Sequence, residues 1–344
     1  MIANLEEAVV TAERDFEEAN ARLYSIGLTD GLPVVPPTMA RIEAMLSGHD
    51  PARVVARLAP LSADANLFRI AMCAVMAGCL PSYFRVVVAA VEAVAQEEFN
   101  LLGIQTTTGT AAPAIIVNGP IAQQLGINCE TNALGAGNRA NATIGRALAL
   151  VLRNVGGAVP GELDMSTMGQ PGKYTFCFAE NERESPWEPL HVSRGFDREQ
   201  NTVTVIAAAG TIEVRDECSA CADSLLSTFA HSMLGAGSVG GAGMLSGGEP
   251  LLLFSPDHAK LVAKERSRAE AQAFIFETAR LPLSTLPPET AAHLRQRGAD
   301  EMLRVAGCAT DIMLVVVGGT GFKSTYVPTW GGGTRAVTKL IETS

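Results

Sequence analysis

Ala114-Ile-Ile-Val-Asn-Gly119 is a short, uninterrupted apolar run that ends at a glycine. A loop and a helical pattern follow it, so the run predicts a β-strand that is buried on both faces. The same unit of apolar strand and helical pattern recurs along the chain. Its other strands are Thr202-Val-Thr-Val-Ile-Ala207, Leu251-Leu-Leu-Phe254 and Asp311-Ile-Met-Leu-Val-Val-Val317.

Helical patterns alternate with these strands, which predicts an α/β protein with mostly parallel, buried sheets and flanking helices. Residues 174–180 are predicted to pair with residues 202–205. Apolar spacing predicts a helical N-terminal region over residues 5–24, 62–78 and 81–98. The helices predicted after the first strand span residues 140–153, 220–233, 257–264, 269–279, 289–305 and 334–342.

The length of 344 residues corresponds to about 2.3 domains at about 150 residues per domain. Residues 156–170 are rich in glycine and proline and form the best candidate linker. We therefore expect a helical N-terminal region plus a first α/β unit in residues 1–155, and a second α/β unit in residues 156–344. One continuous functional unit is the alternative.

The composition excludes several classes of protein. With 47% hydrophobic and 18% charged residues the chain is globular rather than disordered. A net charge of −10 without any basic run argues against nucleic acid or an anionic membrane as partner. No apolar run is long enough to span a bilayer, and the acidic start is no signal peptide, so a cytoplasmic location is expected. Seven cysteines in such a chain predict free thiols.

Two glycine-rich stretches resemble nucleotide fingerprints without their context. Gly135-Ala-Gly137-Asn138-Arg139-Ala-Asn141 runs into a helix but follows polar residues, so we expect no nucleotide cofactor there. The stretch is instead a candidate anion site, with Asn138, Arg139 and Asn141 as ligands, or a capped turn. Gly235-Ala-Gly-Ser-Val-Gly240 follows a helical pattern and is interpreted as a ligand-covering loop.

A third glycine-rich loop, Gly318-Gly319-Thr320-Gly321-Phe322-Lys323-Ser324-Thr325, follows the most apolar strand. Phe322 separates the glycine from the lysine, so this is not a phosphate-binding Walker loop. Lys323 and Ser324 are nevertheless candidate ligands for a carboxylate or phosphate, since α/β proteins bind ligands where strands end. His258 follows another strand and is a candidate to reach the same cleft. A plain strand-to-loop turn is the alternative.

The densest polar cluster lies in the loop that starts at Glu180 and ends at His191. Glu180, Glu182, Glu188 and His191 are candidate catalytic residues, because carboxylates and histidine perform general acid–base chemistry. The same residue types bind metals, so a divalent metal is a candidate cofactor, although no ligand set is defined by the spacing. A solvated acidic loop is the alternative.

Two features of the cysteines suggest chemistry. Cys218-Ser-Ala-Cys221 begins a helical pattern, where the helix dipole favours a thiolate and redox activity. Cys79 lies at a helix break beside Pro81, which makes it a candidate catalytic thiol. The alternative for each is a small core residue.

Several segments together resemble a bacterial family of largely uncharacterised proteins, associated with thiol or selenol proteins that are named for a UGSC motif. This chain itself lacks that motif. The resemblance runs from Thr29 to residues 334–339 and implies one functional unit: an enzyme acting on a small metabolite, with sulfur or another heteroatom as candidate participant and a thiol or selenol protein as candidate partner. The segments are Thr29-Asp-Gly-Leu-Pro-Val-Val-Pro-Pro-Thr38, Ala74-Val-Met-Ala-Gly-Cys79, Gly137-Asn-Arg-Ala-Asn-Ala-Thr-Ile-Gly-Arg146, and Phe178-Ala-Glu-Asn-Glu182 with Ser185-Pro-Trp187.

The sequence thus supports three hypotheses about function. The first is an enzyme of lyase or hydrolase type that acts on a small anionic metabolite by acid–base chemistry. The second is a thiol-redox enzyme that uses Cys218 and Cys221. The third is a non-catalytic subunit that binds a small molecule or a partner, and the thin surface charge also predicts a homo-oligomer.

Overall fold

The computed structural model describes residues 9–10, 15–235 and 248–342. It confirms an α/β protein, with helices and sheets throughout the described part. The helices are α1 (Phe16–Ser25), α2 (Met39–Leu46), α3 (Leu67–Ala77), α4 (Phe84–Val94), α5 (Leu101–Thr106), α6 (Pro120–Gln124), α7 (Arg139–Asn154), α8 (Leu190–Ser193), α9 (Ala222–Ser232), α10 (Pro256–Ala263), α11 (Arg268–Thr278) and α12 (Pro288–Gln296). The strands are β1 (Val54–Leu58), β2 (Ala63–Asn66), β3 (Ala112–Asn118), β4 (Cys177–Ala179), β5 (Thr202–Ala208), β6 (Ile212–Arg215), β7 (Leu251–Phe254), β8 (Arg280–Pro282), β9 (Met302–Arg304), β10 (Met313–Val316), β11 (Lys323–Val327) and β12 (Val337–Leu340).

Two four-stranded sheets share one topology. The first sheet has the order β12-β5-β3-β4 and the second has the order β6-β11-β7-β10. In each sheet one edge pair is parallel, β3 with β4 and β7 with β10, and the other pairs are antiparallel. β1 with β2 and β8 with β9 form separate two-stranded ribbons.

The two sheets exchange their fourth strands. β6 follows β5 directly but pairs with β11 in the second sheet, and β12 follows β11 but pairs with β5 in the first. The segment that leads from β5 to β6 and the segment that leads from β11 to β12 meet at an antiparallel bridge between Ala208 and Thr329. Because each sheet contains a strand from the other half, the two halves are interleaved.

Strand alternation sorts the side chains into layers. On β3, Ile115 and Val117 face the helical core, whereas Ala114 and Ile116 face the second sheet. The sheets therefore pack face to face, with helices outside each one, as a four-layer α/β/β/α arrangement. The layer between the sheets contains Ala114, Ile116, Phe178, Ile206, Ala208, Leu251, Leu253, Met313, Val315, Val317 and Val327.

The outer helices are apolar where they meet the sheets. α3, α4 and α7 pack together outside the first sheet, and nine of the eleven residues of α3 are buried. α9, α10 and α11 cover the second sheet. Among the described helices, no segment is both long enough and apolar enough to cross a membrane.

The prediction of mostly parallel sheets is wrong, since both large sheets are mixed. Apolar runs predict burial on both faces, and these strands are buried by a second sheet on one face rather than by helices on both. The pairing predicted for residues 174–180 is also wrong, because β4 pairs with β3 instead of β5. The predicted boundary after residue 155 falls between β3 and β4, which are neighbours in one sheet.

Other differences concern single elements. Residues 334–342, predicted as a helix, contain β12, and the predicted loop around Lys323 contains β11. Both are strands at or near a sheet edge with polar residues on one face, which weakens the apolar signal. Residues 62–66, predicted as the start of a helix, lie mostly in β2, and Asn66 then caps α3 by accepting the N–H of Arg69.

Candidate active site

The carboxyl ends of β3 and β4 bring polar side chains into the layer between the sheets. Asn118 is the last residue of β3, and its side chain is on the same face of the sheet as that of Ile116. Glu180 follows β4, and its side chain is on the same face as that of Phe178. Both residues are at least 97% buried. Polar groups so deeply buried require partners, and the local hydrogen bonds show what they are.

One amide holds two carboxylates together. Asn118 Nδ2 donates to Glu180 Oε2 at 2.6 Å and to Glu182 Oε1 at 2.9 Å. The N–H of Gly119 donates to Glu182 Oε1 at 2.7 Å, and the N–H of Leu190, at the start of α8, donates to Glu180 Oε2 at 2.7 Å. The two acids are thus fixed by four hydrogen bonds from three elements.

Gly119 is required by this geometry. Its φ is +90°, and a Cβ atom at this position would lie 2.3 Å from the backbone oxygen of Gln200. Only glycine fits such a conformation and approach. The turn that follows β3 therefore presents its N–H to Glu182.

Four buried atoms in this cluster have no hydrogen-bond partner: Asn118 Oδ1, Glu180 Oε1, His191 Nδ1 and Thr202 Oγ1. Thr202 is the register partner of Asn118 on β5. We call the set of Asn118, Glu180, Glu182, His191 and Thr202 the acid cluster. A buried group without a partner is unfavourable, so this cluster is a candidate for binding a further polar molecule.

The acid cluster has more acceptors than donors. His191 Nε2 lies 3.3 Å from the oxygen of Arg198, which only accepts, so this nitrogen carries the proton in the neutral ring. Its Nδ1 then faces Glu182 Oε1 at 3.9 Å, one acceptor opposite another. A proton on a carboxylate, or a hydroxyl or amine of a bound molecule, supplies the missing donor.

Burial raises the pKa of Glu180 to about 7. The hydrogen bonds from Leu190 and Asn118 and the positive charge of Arg268 favour the ionised form, but they offset only part of this effect, and Glu182 adds repulsion. A carboxyl group with this pKa exists in both protonation states near neutral pH. It can therefore accept or donate a proton.

A cavity of about 480 Å³ lies at the glycine loop that follows β10. It is lined by Thr131, Asn132, Glu217 and residues 318–323. The acid cluster does not line this cavity. The two are linked through Asn181, which lies between Glu180 and Glu182 and whose side chain donates to the oxygen of Gly318 at 3.4 Å. We call this cavity the glycine-loop cavity.

Two loops meet in this cavity at very close range. The N–H of Gly318 donates to the oxygen of Cys129 at 2.8 Å, and a Cβ at Gly319 would lie 2.2 Å from Thr131 Oγ1. Within the described residues, the N–H groups of Gly319 and Thr320 and the ammonium group of Lys323 make no hydrogen bond. These donors can bind an anion.

Asn138, Arg139 and Asn141 do not line this cavity but shape one of its loops. Asn138 caps α7 by accepting the N–H of Asn141 at 3.0 Å, and Arg139 donates to the oxygen of Gly78. The buried Asn141 side chain bonds to both backbone groups of Asn128. These residues position the loop that contains Thr131.

His258 on α10 and Ser324 on β11 are buried together, and neither lines this cavity. Ser324 Oγ lies 2.7 Å from His258 Nδ1 and accepts the N–H of Ser255 at 3.0 Å. His258 Nε2 lies 2.9 Å from the oxygen of Asp216. Both ring nitrogens are occupied, so the pair joins α10 to the sheet.

Cys79 is separated from the acid cluster by the first sheet. It packs in the helical core with Cys177, which faces outward on β4, whereas Glu180 faces inward. Burial raises the pKa of the Cys79 thiol to about 12, and its hydrogen bond to Thr143 offsets only part of that effect. The structure therefore does not place Cys79 with Glu182 and His191.

Glu188 and the Cys218–Cys221 pair lie at the surface. Glu188 is exposed, and its backbone oxygen accepts a hydrogen bond from Arg268. Cys218 is exposed and Cys221 is half-buried at the start of α9, and all seven cysteines are free thiols. The loop around Cys218 is fixed by Asp216, whose carboxylate accepts the N–H groups of Cys218 and Ser219.

Two further predictions from the sequence concern a divalent metal cofactor and a ligand-covering loop at residues 235–240. The part of the chain that the structure describes contains no group of three His, Cys, Asp or Glu side chains able to bind a metal ion. Most of the glycine-rich stretch at residues 235–240 lies outside the described residues.

Larger cavities lie elsewhere. One of about 620 Å³ lies between α7 and residues 158–174. Both of its carboxylates are already paired: Lys173 contacts Asp164 at 2.6 Å, and Asp30 contacts Arg146 at 2.8 Å. Its arginine, Arg153, donates to the oxygen of Gly27 at 3.3 Å and has an Nε without a partner among the described residues. We therefore assign chemistry to the acid cluster instead.

Comparison of the chain with protein-family models, curated proteins and solved structures gave no match.

The sequence analysis missed Asn118 and Thr202. Asn118 breaks an otherwise apolar strand one residue before Gly119, and that polar interruption was the available signal. Its partners lie 62 and 64 positions away, so only the pairing of β3 with β4 shows that they meet.

Proposed function

We propose that this protein is an enzyme of lyase or hydrolase type that transfers a proton on a small anionic molecule, with Glu180 as general acid or base. The observation that carries the proposal is the pair of carboxylates held by Asn118, of which the buried Glu180 has a pKa of about 7. Buried acids with perturbed pKa values concentrate at catalytic sites. A purely structural acid would gain nothing from an unpartnered Oε1 atom.

The members of the acid cluster have different roles in this scheme. Glu182, with 23% of its side chain exposed, is the acid that solvent reaches, and it orients the substrate or a water molecule. Glu180 holds the transferable proton on its unpartnered Oε1. Asn118 is a positioning residue, because it keeps both carboxylates in place.

The surplus of acceptors defines the substrate class. Asn118 Oδ1 and His191 Nδ1 require donors, so the substrate carries a hydroxyl or amino group at the reacting end. Lys323 and the N–H groups of the glycine-loop cavity bind its anionic end. Hydroxy acids, amino acids and small phosphate esters combine both features.

The proposal is tested by incubating the protein in D₂O with panels of these three compound classes and recording ¹H NMR spectra. We expect one class to lose a C–H signal by deuterium exchange or to form an elimination or hydrolysis product. Glu180→Gln abolishes the change and Lys323→Ala raises KM, whereas the surface variant Glu184→Gln leaves it intact. A reaction that Glu180→Gln retains in full contradicts the proposal.

A thiol-redox function is the second candidate, since Cys218 and Cys221 are both accessible to some degree and precede α9. It predicts that the double variant Cys218→Ser with Cys221→Ser loses turnover while Glu180→Gln retains it. The acid–base proposal predicts the opposite pattern.

A further inference from the structure

A separate cavity of about 380 Å³ lies at the start of α11. One wall is the loop from Pro186 to Ser193, and the other comes from residues 263–268. We call it the Trp187 cavity. Its residues take no part in the glycine-loop cavity, which is lined by different loops.

Two nitrogen atoms of the lining residues, one in each wall, are buried without a partner among the described residues. They are Trp187 Nε1 and Arg268 Nε. Arg268 uses another nitrogen to bond the backbone oxygen of Glu188. Trp187 is held in place by an edge contact with Phe254, at 5.5 Å between ring centroids.

These unpartnered atoms can only donate. The indole N–H and the guanidinium N–H groups have no acceptor capacity, so only an acceptor satisfies them. Arg266 adds a second positive charge to the lining, although Asp223 also contacts it. The hydroxyl groups of Ser193 and Ser267 also lie in the lining, but they already donate to the oxygen of Leu190 and to Glu270 Oε2. The one carboxylate in the lining, that of Glu188, is exposed.

We propose that the Trp187 cavity is a second ligand site, which binds the phosphate or carboxylate group of a small molecule. An oxyanion supplies the acceptors that Trp187 Nε1 and Arg268 Nε lack, and the planar guanidinium suits such groups. The larger cavity beside α7 has only one such nitrogen, Arg153 Nε, among the described residues that line it. The ligand bound here is not the substrate of the proposed reaction, although the charge of Arg268 also favours ionised Glu180.

Tryptophan fluorescence tests the proposal directly, because the chain has only two tryptophans. The wild-type protein is titrated with inorganic phosphate and, separately, with sodium acetate, at ionic strength kept constant with sodium chloride. We expect a saturable change with at least one anion, which identifies the preferred group. Trp187→Phe removes the change, since the other fluorophore, Trp330, is not in the cavity.

Arg268→Gln provides the main test of the binding mode. We expect it to weaken binding by about tenfold, the effect of losing a charge-assisted hydrogen bond. Lys323→Ala binds as wild type does, since Lys323 lines the glycine-loop cavity instead. If Arg268→Gln does not fold, Arg268→Lys is measured instead and also weakens binding, because lysine lacks the Nε–H.

Three results would overturn the proposal. Neither anion produces a saturable change, Trp187→Phe retains the change, or the Arg268 variant binds as tightly as wild type. A loss of phosphate binding in Lys323→Ala with full binding in Arg268→Gln would place the anion in the glycine-loop cavity instead.

Discussion

Burial of Glu180 makes its ionised form unfavourable, which affects both the stability of the protein and the reactivity of this carboxyl group. Its folded-state pKa is about 7 against an ordinary value of 4.5, so the folded chain holds this proton more tightly than the unfolded chain does. Glu180 therefore makes its full contribution to the free energy of unfolding below pH 4.5, and this contribution falls as the pH rises to about 7. At 1.36 kcal/mol per pKa unit, the loss amounts to about 3 kcal/mol.

Glu180→Gln removes this penalty, because the amide stays neutral at every pH. We predict that its free energy of unfolding relative to wild type rises by about 3 kcal/mol between pH 4.5 and pH 8. The side-chain oxygen of glutamine can take the place of Glu180 Oε2 and accept from Asn118 Nδ2 and the N–H of Leu190. Urea denaturation at both pH values measures the effect.

The matched control is Glu184→Gln, at an exposed carboxylate whose pKa is lowered by its hydrogen bond with Lys260. This variant gains no stability at the higher pH. The other ionisable groups are common to the wild type and both variants, so their effect on stability cancels in the comparison. A Glu180 variant whose relative stability is the same at both pH values would show that Glu180 is ionised in the ordinary range.

Asn118 and Thr202 form a matched pair for a second prediction, because they face each other in the register of β3 and β5. Asn118→Ala removes one of the two donors from each of two carboxylate oxygens and lowers stability by about 1–3 kcal/mol. Thr202→Val replaces an unpartnered hydroxyl by a methyl group and leaves stability unchanged or higher. Equal losses in the two variants, measured by urea denaturation, would contradict this account.

The acids Glu180 and Glu182 could be predicted from the sequence, because a dense cluster of titratable residues follows an apolar strand. Their partners could not be predicted, because hydrogen bonds over more than 60 positions depend on strand pairing. The candidate thiol Cys79 illustrates a different limit: a helix break does not reveal which face of a sheet a side chain will reach.

At the scale of elements, two of the segments that carry the family resemblance are in direct contact. Arg146 on α7 donates to both carboxylate oxygens of Asp30 at 2.8 Å. The same guanidinium also bonds the oxygen of Pro33. The proline-rich stretch after α1 is thus fixed to a core helix.

Asp30→Asn weakens this bidentate pair, whose side chains are only 13–15% exposed. We predict a loss of about 1–3 kcal/mol in the free energy of unfolding. The comparison is Asp64→Asn, which breaks an exposed pair with Arg57 and costs less than about 1 kcal/mol. Equal effects in urea denaturation would mean that the Asp30 contact is not structural.

Long apolar elements were predictable and polar edge strands were not. β3, β5, β7 and β10 each lie within or beside a predicted apolar run. β12 reads Val337-Thr-Lys-Leu340 and has apolar residues only at its two ends, and four residues are too few to separate a strand from a helix. The sheets are mixed because β5 and β11 run antiparallel to β3 and β7, and no local pattern encodes these directions.

For the whole molecule, the strand exchange predicts cooperative unfolding. Each large sheet is completed by a strand from the other half, so neither sheet can persist after the other unfolds. Differential scanning calorimetry should show one transition whose calorimetric and van't Hoff enthalpies agree. A chain that ends at Gly333, without β12, should show a single transition at lower temperature. Two resolved transitions in the full chain would contradict the interleaved description.

The central claim is that Glu180 ionises near neutral pH, and a ¹³C NMR titration of the glutamate carboxyl groups tests it most directly. The account predicts one carboxyl signal with a pKa of about 7 in the wild-type protein, absent from Glu180→Gln and present in Glu184→Gln. Titration of every glutamate below pH 5, or a signal near pH 7 that persists in Glu180→Gln, would contradict it.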